Sequence, residues 1–581
     1  MCGLAGVVLR TGVPDAGLID RLAAALAHRG PDGEGRHHRG STALVQRRLA
    51  VIDLETGNQP LFGADGAVLA ANGEIYNYLE LRDRLTGVGW RTKSDCEPPL
   101  ELYRRHGLNF ADHLRGMYAI AIDDPVQNRL VLARDPFGIK PLYLAETDAG
   151  VAFASEVQAL IRAGWVQPNL DRAAIQSLFQ RQFVSGGAPP ISGVRRLLPG
   201  ETVVIEQGRV VASHRRAVLP ATGPTPGLDE ASALTLVEGA LRDSVAVHCR
   251  SDVPYGLFLS GGIDSSLILS LMAEVTGEAV RTVSAGFDVP GAADERAIAR
   301  QSAARHGARH TEVLVTAEDF WRELPAIAAA MDDPAADYAC LPTWCLARLA
   351  RQDLTVVLSG EGGDELFAGY GRYRRAMRPA WLRWPRRNRG ILAAVGLARP
   401  HPPAPVATPP ASPQWTRLQA AQAADIAEWL PNDLLIKLDR CLMAHALEGR
   451  TPFLDPAVVA AAWQVPDHLK VSGRLGKYVL RRLLHRRHPD HPAFARKQGF
   501  TVPVGAWIAA RGTRLAALVA ASPGVAEVAR TDRLAPVFAA ADRDGKAAMA
   551  AWTLTFYALW VRFHVLGQTV GPDIDSMLSE Q

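Results

Sequence analysis

The second residue of the chain is a cysteine, Cys2, and a glycine follows it. Removal of Met1 would leave one residue with both a thiol and a free α-amine, and an amine with a pKa of about 7.7–8 can accept a proton at neutral pH. The position therefore predicts a nucleophile that carries its own base. A cysteine that only packs in a core is the alternative, and the surrounding motifs decide between the two.

Three further clusters in the first half carry side chains suited to an amide substrate. Arg48 is predicted to head a strand at 48–53, and a guanidinium is suited to carboxylate recognition. Asn72 and Gly73 follow an apolar run and offer an amide and a flexible backbone N–H, which together can form an oxyanion hole. Asp95 can pair with an ammonium group. Taken singly, these features also fit a surface ion pair, a turn and a helix cap.

A glycine-rich loop at residues 260–266 (SGGIDSS) is typical of a phosphate site. It follows an apolar strand at 255–259 and precedes a helical pattern at 267–275, so its N–H groups lie at the positive end of a helix dipole. The GxxxxGK[ST] pattern does not occur in the sequence, which excludes a Walker A loop.

A second glycine-rich loop at residues 359–370 (SGEGGDELFAGY) follows an apolar strand at 354–358. Asp264 and Asp364 thus lie on separate loops, each after a strand. Magnesium shares its coordination sphere between carboxylate and phosphate oxygens, so this pair predicts Mg²⁺ beside a polyphosphate.

The elements that position these residues divide the chain in two. Up to about residue 212, short apolar strands alternate with Gly, Asn and Asp turns, and helical patches lie at 18–27 and 79–85. The strands are predicted at 4–9, 68–71, 118–122, 129–133, 151–154 and 202–205. This pattern predicts a first domain, 2–212, of stacked sheets with flanking helices, which a proline- and glycine-rich linker at 213–232 ends.

Beyond the linker, amphipathic helices alternate with apolar strands, which predicts a parallel α/β sheet. The strands are predicted at 255–259, 280–287, 310–315 and 354–358. We assign residues 233–520 to this second domain, with an arginine- and proline-rich insertion at about 376–416. Residues 521–581 are assigned to a helical C-terminal extension.

Composition excludes several classes of protein. The chain has 581 residues, more than one core usually supports, and is 48% hydrophobic and 21% charged, as in ordinary globular proteins. A net charge of +4 gives no basis for nucleic-acid binding. Six cysteines without a CxxC pair predict neither disulfides nor a zinc site and favour the cytoplasm. No long apolar run or signal-like N-terminus is found, so we predict no membrane contact and small-molecule ligands.

Residues 2–160 resemble the class II glutamine amidotransferases, the N-terminal-nucleophile glutaminases, in the opening cysteine and the three clusters described above. The resemblance implies an α+β N-terminal-nucleophile sandwich of antiparallel sheets with helices. It implies that Cys2 attacks the side-chain amide of glutamine while Asn72 and the Gly73 amide stabilise the oxyanion. Two residues would lie near the exit for ammonia, Arg29 and Met117. The implied glutamine-binding residues are Arg48, Val51, Ile52, Asn72, Gly73, Glu74 and Asp95.

The two glycine-rich loops resemble the PP-loop of ATP pyrophosphatases. With the first domain and the segments 448–455 (EGRTPFLD) and 497–500 (KQGF), they make residues 2 to about 510 similar to the glutamine-hydrolysing asparagine synthetases. The resemblance implies ATP and Mg²⁺, Glu361 assisting at an acyl-adenylate, and Lys477 stabilising the departing pyrophosphate. A solvated helix lysine is the alternative for Lys477. The implied nucleotide contacts are Leu259, Ser260, Gly261, Gly262, Asp264, Ser265, Ser266, Ala285, Ser359 and Gly360, and the implied metal ligands are Asp264 and Asp364.

The function implied is that of a ligase that takes ammonia from glutamine and transfers it to an adenylated carboxylate, with L-aspartate as the expected acceptor. Gly449 and Thr451 depart from the family's usual EVRVPFLD segment. A peptide, sugar or natural-product carboxylate therefore stays open as an alternative acceptor. A non-catalytic sensor of glutamine or nucleotide is the second alternative. Homodimers are common among such synthetases, so a homodimer is an expected partner.

Overall fold

The structure is a computed structural model that describes residues 2–289, 295–379, 390–399, 410–495, 502–571 and 573–579. Two stretches of the predicted insertion at 376–416, and the segment 497–500, lie outside these ranges. The strands β1–β17 span Gly3–Leu9, Gly33–Arg39, Thr42–Arg48, Leu61–Phe62, Val68–Ile75, Gly116–Asp124, Arg129–Arg134, Tyr143–Glu146, Gly150–Ala154, Val194–Arg196, Glu201–Glu206, Arg209–Arg215, Tyr255–Phe258, Arg281–Phe287, Arg309–Val315, Val356–Leu358 and Glu448–Arg450.

The α-helices of the described residues are numbered α1–α22. They span Ala16–Ala25, Tyr78–Arg84, Pro98–His106, Val157–Arg162, Arg172–Arg181, Glu230–His248, Ile263–Thr276, Arg296–Arg305, Ala317–Ala330, Cys340–Ala350, Gly363–Leu366, Gly371–Ala376, Arg417–Ala424, Leu435–Met443, Pro456–Gln464, Asp467–Lys470, Tyr478–Arg487, Val504–Ala521, Val525–Val528, Leu534–Ala539, Gly545–His564 and Ile574–Ser579.

Two six-stranded antiparallel sheets form the first domain. Sheet A has the order β10-β8-β9-β1-β3-β2, and sheet B has the order β12-β11-β7-β6-β5-β4. Apolar side chains such as Leu4 and Phe153 from sheet A pack against Ala119 and Leu132 from sheet B. The outer faces of the two sheets pack on helices. The predicted N-terminal-nucleophile sandwich is therefore confirmed.

Strand β1 lies inside sheet A, because it pairs with β3 on one side and β9 on the other. Gly3 lies opposite Arg47, so Cys2 stands beside the end of β3 and Arg48. The opening residue of a buried central strand is fixed by its neighbours rather than frayed. The sheet thus holds the candidate nucleophile in place.

The second domain contains sheet C, five parallel strands in the order β15-β14-β13-β16-β17. The predicted parallel sheet is confirmed. The loop at 260–266 follows β13 and opens helix α7, and the loop that starts at Ser359 follows β16. Both loops therefore lie at the carboxyl edge of the sheet, where open α/β sheets bind ligands.

The segment between the domains is shorter than its predicted bounds. Strand β12 continues to Arg215, three residues into the predicted linker at 213–232, and helix α6 begins at Glu230 after the capping side chain of Asp229. The predicted C-terminal extension is helical and packs into the second domain, because α21 lies against α9 and α18 and fully buries Trp552 and Trp560. The domain boundaries themselves stay a prediction.

One described helix, α18, has the length and the mean hydropathy, 1.2, of a candidate membrane span. Length and composition are weak evidence, because core helices pass the same test. This helix buries Trp507, Ile508 and Leu515 and packs against α20 and α21.

Candidate functional site

Cys2 is buried, with 6% of its surface exposed. Its backbone N–H donates to Asn72 Oδ1 at 2.9 Å, and its thiol lies 3.9 Å from the Leu49 carbonyl oxygen. Arg29 Nε donates to the Cys2 carbonyl oxygen at 3.1 Å. Burial raises the pKa of the Cys2 thiol, so the thiolate requires an adjacent base. The α-amine that Met1 removal would free is the candidate base, and its nitrogen contacts Asn72 Oδ1.

Asn72 presents its other amide atom without a partner. Asn72 Nδ2 is buried and makes no hydrogen bond to the residues that the structure describes. A buried N–H group without a partner costs free energy unless a ligand completes it, which makes this group a candidate oxyanion donor. At Gly73 a Cβ would lie 2.2 Å from the Met117 carbonyl oxygen, so only glycine fits there. Both residues lie within β5, whereas the sequence pattern ended that strand before them.

Arg48 lies at the end of β3, so the predicted strand at 48–53 is wrong, and these residues form the loop that follows β3. Its Nη1 donates to Asn58 Oδ1 at 2.7 Å and its Nη2 donates to the Ile52 carbonyl oxygen at 3.1 Å. Val51 and Ile52 are buried, and the Val51 carbonyl accepts the Asp252 N–H at 3.0 Å. The residues predicted to bind the carboxylate of glutamine therefore lie in one hydrogen-bonded loop. Asp252 of the second domain also donates a hydrogen bond to this loop.

Glu74 and Asp95 are two buried carboxyl groups near Cys2. Burial, reinforced by Glu448 and Asp95, raises the pKa of Glu74 well above its ordinary value. Burial also raises the pKa of Asp95 to about 6, although the Ile75 N–H donates to it at 2.8 Å. A cation beside these two buried carboxyl groups would stabilise their charged forms. The ammonium group of an amino-acid ligand is a suitable cation.

A cavity of about 420 Å³ opens at the carboxyl edge of sheet C. Its wall includes all but one of the predicted nucleotide contacts, namely Leu259, Ser260, Gly261, Gly262, Asp264, Ser265, Ala285, Ser359 and Gly360. Ser266 is the exception. It lies in the first turn of α7 and is buried, and its Oγ lies 3.3 Å from Nε2 of His491, which does line the cavity.

The two glycine-rich loops approach each other closely around Asp264 and Asp364. A Cβ at Gly363 would lie 2.8 Å from Asp264 Oδ1, and one at Gly369 would lie 1.8 Å from Asp364 Oδ1. Lys477 Nζ donates to Asp264 and lies 2.8 Å from Asp364 Oδ1. Both carboxylates therefore converge on the Lys477 ammonium, and the pair is a candidate for Mg²⁺, which uses one or two carboxylates together with phosphate oxygens and water.

Lys477 is a buried residue rather than a solvated helix lysine, with 4% of its surface exposed. It stands at the start of α17 in a left-handed backbone conformation, with φ of 56°. Burial alone would lower its pKa, but Asp264 and Asp364 raise it above the ordinary value. A permanently charged ammonium in this cavity is suited to an anionic leaving group.

Glu361 lines the same cavity, and Lys437 lies beside it with Nζ 4.0 Å from Glu361 Oε1 and 2.9 Å from Asp337 Oδ2. Burial raises the pKa of Glu361 although Lys437 lowers it, so its carboxyl holds a proton up to a higher pH than an exposed glutamate does. The sequence analysis did not select Lys437. Its only signal was a lysine on a largely apolar helix, α14.

A buried ion-pair network joins the two candidate sites. Arg29 is fully buried, and its Nη1 and Nη2 donate to the two carboxylate oxygens of Asp439 at 2.8 and 2.9 Å. Met117 is also fully buried and belongs to a core cluster that includes Leu257 of sheet C. Arg29 and Met117, which the resemblance placed near the ammonia exit, therefore lie at the domain interface. Asp439 was missed, because nothing in its local sequence indicates a partner 410 residues away.

Two departures from the usual EVRVPFLD segment have distinct surroundings. A Cβ at Gly449 would lie 2.8 Å from Leu442 Cδ2, so a larger residue here would displace Leu442. Thr451 is fully buried, and its Oγ1 has no hydrogen-bond partner among the described residues.

The sandwich that opens with a buried cysteine and the parallel sheet with two converging glycine-rich loops define a class of protein: a class II glutamine amidotransferase domain joined to an ATP-dependent synthetase domain. Family models agree with this division. A glutamine amidotransferase domain model matches residues 1–215, and an asparagine synthase model matches residues 236–562.

Curated relatives extend the match over both domains. The chain is 34% identical to asparagine synthetase (glutamine-hydrolyzing) 1 of Bacillus subtilis (strain 168), over 87% of this chain and 88% of the relative. It is 28% identical to asparagine synthetase (glutamine-hydrolyzing) 1 of Saccharomyces cerevisiae (strain ATCC 204508 / S288c), over 84% and 82%. A solved B. subtilis glutamine phosphoribosylpyrophosphate amidotransferase aligns with 18% identity over 54% of this chain and 81% of that chain, at a TM-score of 0.28, which is too weak to support an inference. The chain belongs to the family of glutamine-hydrolysing asparagine synthetases.

Proposed function

We propose that the protein converts L-aspartate, L-glutamine, ATP and water into L-asparagine, L-glutamate, AMP and pyrophosphate. The observation that carries the proposal is the convergence of both glycine-rich loops, Glu361 and Lys477 on one cavity, in a domain packed directly against the Cys2 site. The names of the curated relatives support L-aspartate as the acceptor. The relatives' family also supports a protein that works on small molecules rather than nucleic acid or membranes.

In the first half-reaction, the α-amine of Cys2 takes the thiol proton and the thiolate attacks the side-chain carbonyl carbon of glutamine. Asn72 Nδ2 and the Gly73 N–H stabilise the oxyanion, because they are donors fixed in a buried strand. The amine returns the proton to the leaving nitrogen, which departs as ammonia. Water then hydrolyses the thioester and releases glutamate.

In the second half-reaction, a β-carboxylate oxygen of aspartate attacks the α-phosphorus of ATP and pyrophosphate leaves. Lys477 balances the charge of the leaving group. Asp264 and Asp364 would hold Mg²⁺, which when bound supplies further neutralisation of phosphate charge. Ammonia attacks the carbonyl carbon of the β-aspartyl-AMP intermediate, Glu361 accepts a proton from the new amide nitrogen, and AMP leaves.

The buried interface explains why two sites lie in one chain. Ammonia is mostly protonated in neutral water, and ammonium is not a nucleophile. Transfer through the region of Arg29 and Met117, both fully buried, keeps ammonia from exchanging with solvent.

The acceptor is tested by measuring ammonia-dependent pyrophosphate release across a panel of carboxylic acids. We expect release with L-aspartate and identification of asparagine as the product. Release only with a peptide, sugar or other acid would replace the aspartate assignment with that acceptor. Release with none of the acids, together with unaltered ATP, would favour the sensor alternative.

The two-site mechanism is tested by Cys2→Ala. We expect loss of glutamine-dependent synthesis with ammonia-dependent synthesis retained within about twofold, because the thiol serves only the first half-reaction. Cys345→Ala, which truncates another buried cysteine, is the control and should keep both activities. Equal loss of both activities in Cys2→Ala would contradict the mechanism.

A further inference from the structure

One residue outside both predicted sites touches each of them. Arg450, in β17, is fully buried. Its Nη2 lies 3.3 Å from Glu74 Oε2, and Glu74 is one of the two buried carboxyl groups, with Asp95, that suit the ammonium group of glutamine. Its backbone carbonyl oxygen accepts the Ser359 N–H at 2.8 Å, at the first residue of the second glycine-rich loop. A single residue therefore contacts the glutamine side of one domain and the nucleotide loop of the other.

The rest of the Arg450 guanidinium is fixed firmly. Its Nε donates to Glu448 Oε1 at 2.6 Å, and its Nη1 donates to the carbonyl oxygens of His248 and Arg250 at 2.8 and 2.6 Å. Because the guanidinium is planar and rigid, these bonds determine where Nη2 points. A shift of Nη2 toward Glu74 would consequently move the whole guanidinium and, with it, the main chain of β17.

The contact between Arg450 and Glu74 is incomplete. The two atoms are at ion-pair distance, yet neither Arg450 Nη2 nor Glu74 Oε2 makes a hydrogen bond with the residues that the structure describes. An unpaired donor thus faces an unpaired acceptor in a buried site, where each bond is stronger than in water. A ligand ammonium that stabilises the Glu74 carboxylate increases its negative charge and favours closure of the hydrogen bond to Nη2.

The pairing of β17 with β16 connects the hydrogen bond between Arg450 and Glu74 to the nucleotide loop. Arg450 lies opposite Leu358 in the parallel pairing of β17 with β16, and Ser359 follows Leu358 directly. Ser359, Gly360 and Glu361 line the cavity. The coupling element is therefore the β16–β17 pair, whose end is set by the carbonyl of Arg450.

We propose that Arg450 is a positioning residue that couples glutamine binding at Glu74 to nucleotide binding at the Ser359 loop, so that each ligand strengthens the binding of the other. The proposal rests on the proposed function for the assignment of the two ligands. Coupling of this kind is reciprocal, because both ligands bias the same equilibrium.

The test measures glutamine hydrolysis, as glutamate release, with and without α,β-methylene-ATP, which cannot be cleaved to pyrophosphate. In the unmodified protein we expect the analogue to lower the KM for glutamine about fivefold with kcat unchanged. Arg450→Lys keeps the charge but loses the planar fork, so we expect the effect of the analogue to fall below about twofold. An unaltered fivefold effect in Arg450→Lys would overturn the proposal.

The matched control is Arg115→Lys, another arginine that links the domains. Arg115 pairs with Asp455 at 2.7 Å and Asp243 at 2.5 Å and has no described contact with Glu74, so its variant should keep the full effect of the analogue. Loss of the effect in both variants would assign it to general interface packing and overturn the specific role of Arg450. A far-UV circular dichroism spectrum and a urea midpoint like those of the unmodified protein show that Arg450→Lys has folded.

A second measurement is independent of the folding of any Arg450 variant. Calorimetric titration of the Cys2→Ala protein with α,β-methylene-ATP should show about fivefold tighter binding when glutamine is present, by reciprocity. Equal affinity with and without glutamine would overturn the coupling. Neither readout uses an acceptor, so a wrong acceptor leaves the test intact, whereas absence of any glutamine hydrolysis would instead contradict the proposed function.

Discussion

The residues around Cys2 make a site that is incomplete without its ligand. Asn72 has an unpaired buried amide N–H₂, and the pKa values of Glu74 and Asp95 are raised because their charges lack solvent. Each group would gain from one part of a glutamine molecule, the developing oxyanion or the ammonium group. Groups that cost free energy in the empty protein are therefore those that would stabilise the ligand and the transition state.

The amide of Asn72 and that of Asn58 should affect catalysis in different ways. Asn72→Ala removes the oxyanion donor, so we expect kcat for glutamine hydrolysis to fall about 10²–10³-fold with little change in KM. Asn58→Ala removes a partner of Arg48 and should raise KM with kcat nearly unchanged. Steady-state kinetics of glutamate release distinguish the two, and a rise in KM alone for Asn72→Ala would contradict its oxyanion role.

Glutamine binding should weaken in acid. Because burial raises the pKa of Asp95 to about 6, the group is protonated below that pH in the empty site and cannot pair with an ammonium group. The raised pKa of Glu74 acts in the same direction. We expect the Kd for glutamine, measured calorimetrically on Cys2→Ala, to rise as the pH falls through about 6.

Asp95→Asn is the control for this pH dependence. It should bind glutamine weakly at every pH and show a smaller change across the same range. A Kd for the Cys2→Ala protein that stays constant between about pH 5 and pH 8 would contradict the assignment of Asp95 to the ammonium group.

Residues within motifs could be predicted from the sequence, and their partners could not. Cys2, Asp264 and Asp364 stand at strand ends whose apolar patterns are visible in the sequence. Lys437 and Asp439 lie on the buried helix α14, and their partners are distant in sequence, Glu361 and Asp337 for Lys437 and Arg29 of the first domain for Asp439. Such long-range contacts leave no local periodic signal.

At the scale of elements, the strands that were predicted are apolar, and the strands that were missed include polar ones. Apart from the one at 48–53, every strand predicted in the first domain overlaps an observed strand, because each has a buried apolar face. Strand β2 was missed, since Gly33–Arg39 consists of glycine and charged or histidine residues at the edge of sheet A. Strand β17 has three residues, and its buried side chains are charged. Alternation of apolar and polar residues cannot identify either strand.

The glycine-rich loop after β16 depends on the absence of one side chain. Gly369→Ala would place a Cβ 1.8 Å from Asp364 Oδ1 and 2.5 Å from Lys477 Cε, so the carboxylate and the ammonium must move. We expect ammonia-dependent pyrophosphate release to fall at least about tenfold, with glutamine hydrolysis unchanged, because the displaced groups serve only the second cavity.

Gly239→Ala is the matched control. Gly239 lies exposed within α6, and a Cβ there would meet nothing within 4 Å. This variant should keep both activities and gain about 0.5–1 kcal/mol of unfolding free energy, because alanine favours the helix. Unchanged pyrophosphate release by Gly369→Ala would show that the close contact of Gly369 with Asp364 and Lys477 is not needed for this activity.

At the scale of the whole molecule, buried ion pairs join the domains. Arg196 of β10 is buried, and its guanidinium donates through Nε and Nη2 to Asp333 at 2.6 and 2.5 Å. Tyr143 Oη also donates to Asp333, at 2.8 Å. These residues are far apart in sequence, so neither the interface nor the contact between the two sites could be predicted from local patterns. Only the existence and order of the two domains could.

Removal of one interface charge should destabilise the protein. Asp333→Asn leaves the buried Arg196 without its counter-charge, so we expect the free energy of unfolding to fall by about 3–5 kcal/mol. Glu101→Gln, which removes an acid paired with surface arginines on α3, should cost no more than about 1 kcal/mol. Urea denaturation followed by circular dichroism measures both, and equal small effects would show that the interface pair does not stabilise the folded protein.

The position of Cys2 before β1 means that the two proposed activities differ in whether they require removal of Met1. Cys2 precedes the buried central strand of sheet A, and its nitrogen is a useful base only after Met1 has been cleaved off. Among the described residues that line the nucleotide cavity, none has chemistry that depends on that cleavage. Under the proposed function, the protein with Met1 in place would therefore use only free ammonia, and removal of Met1 would add the use of glutamine.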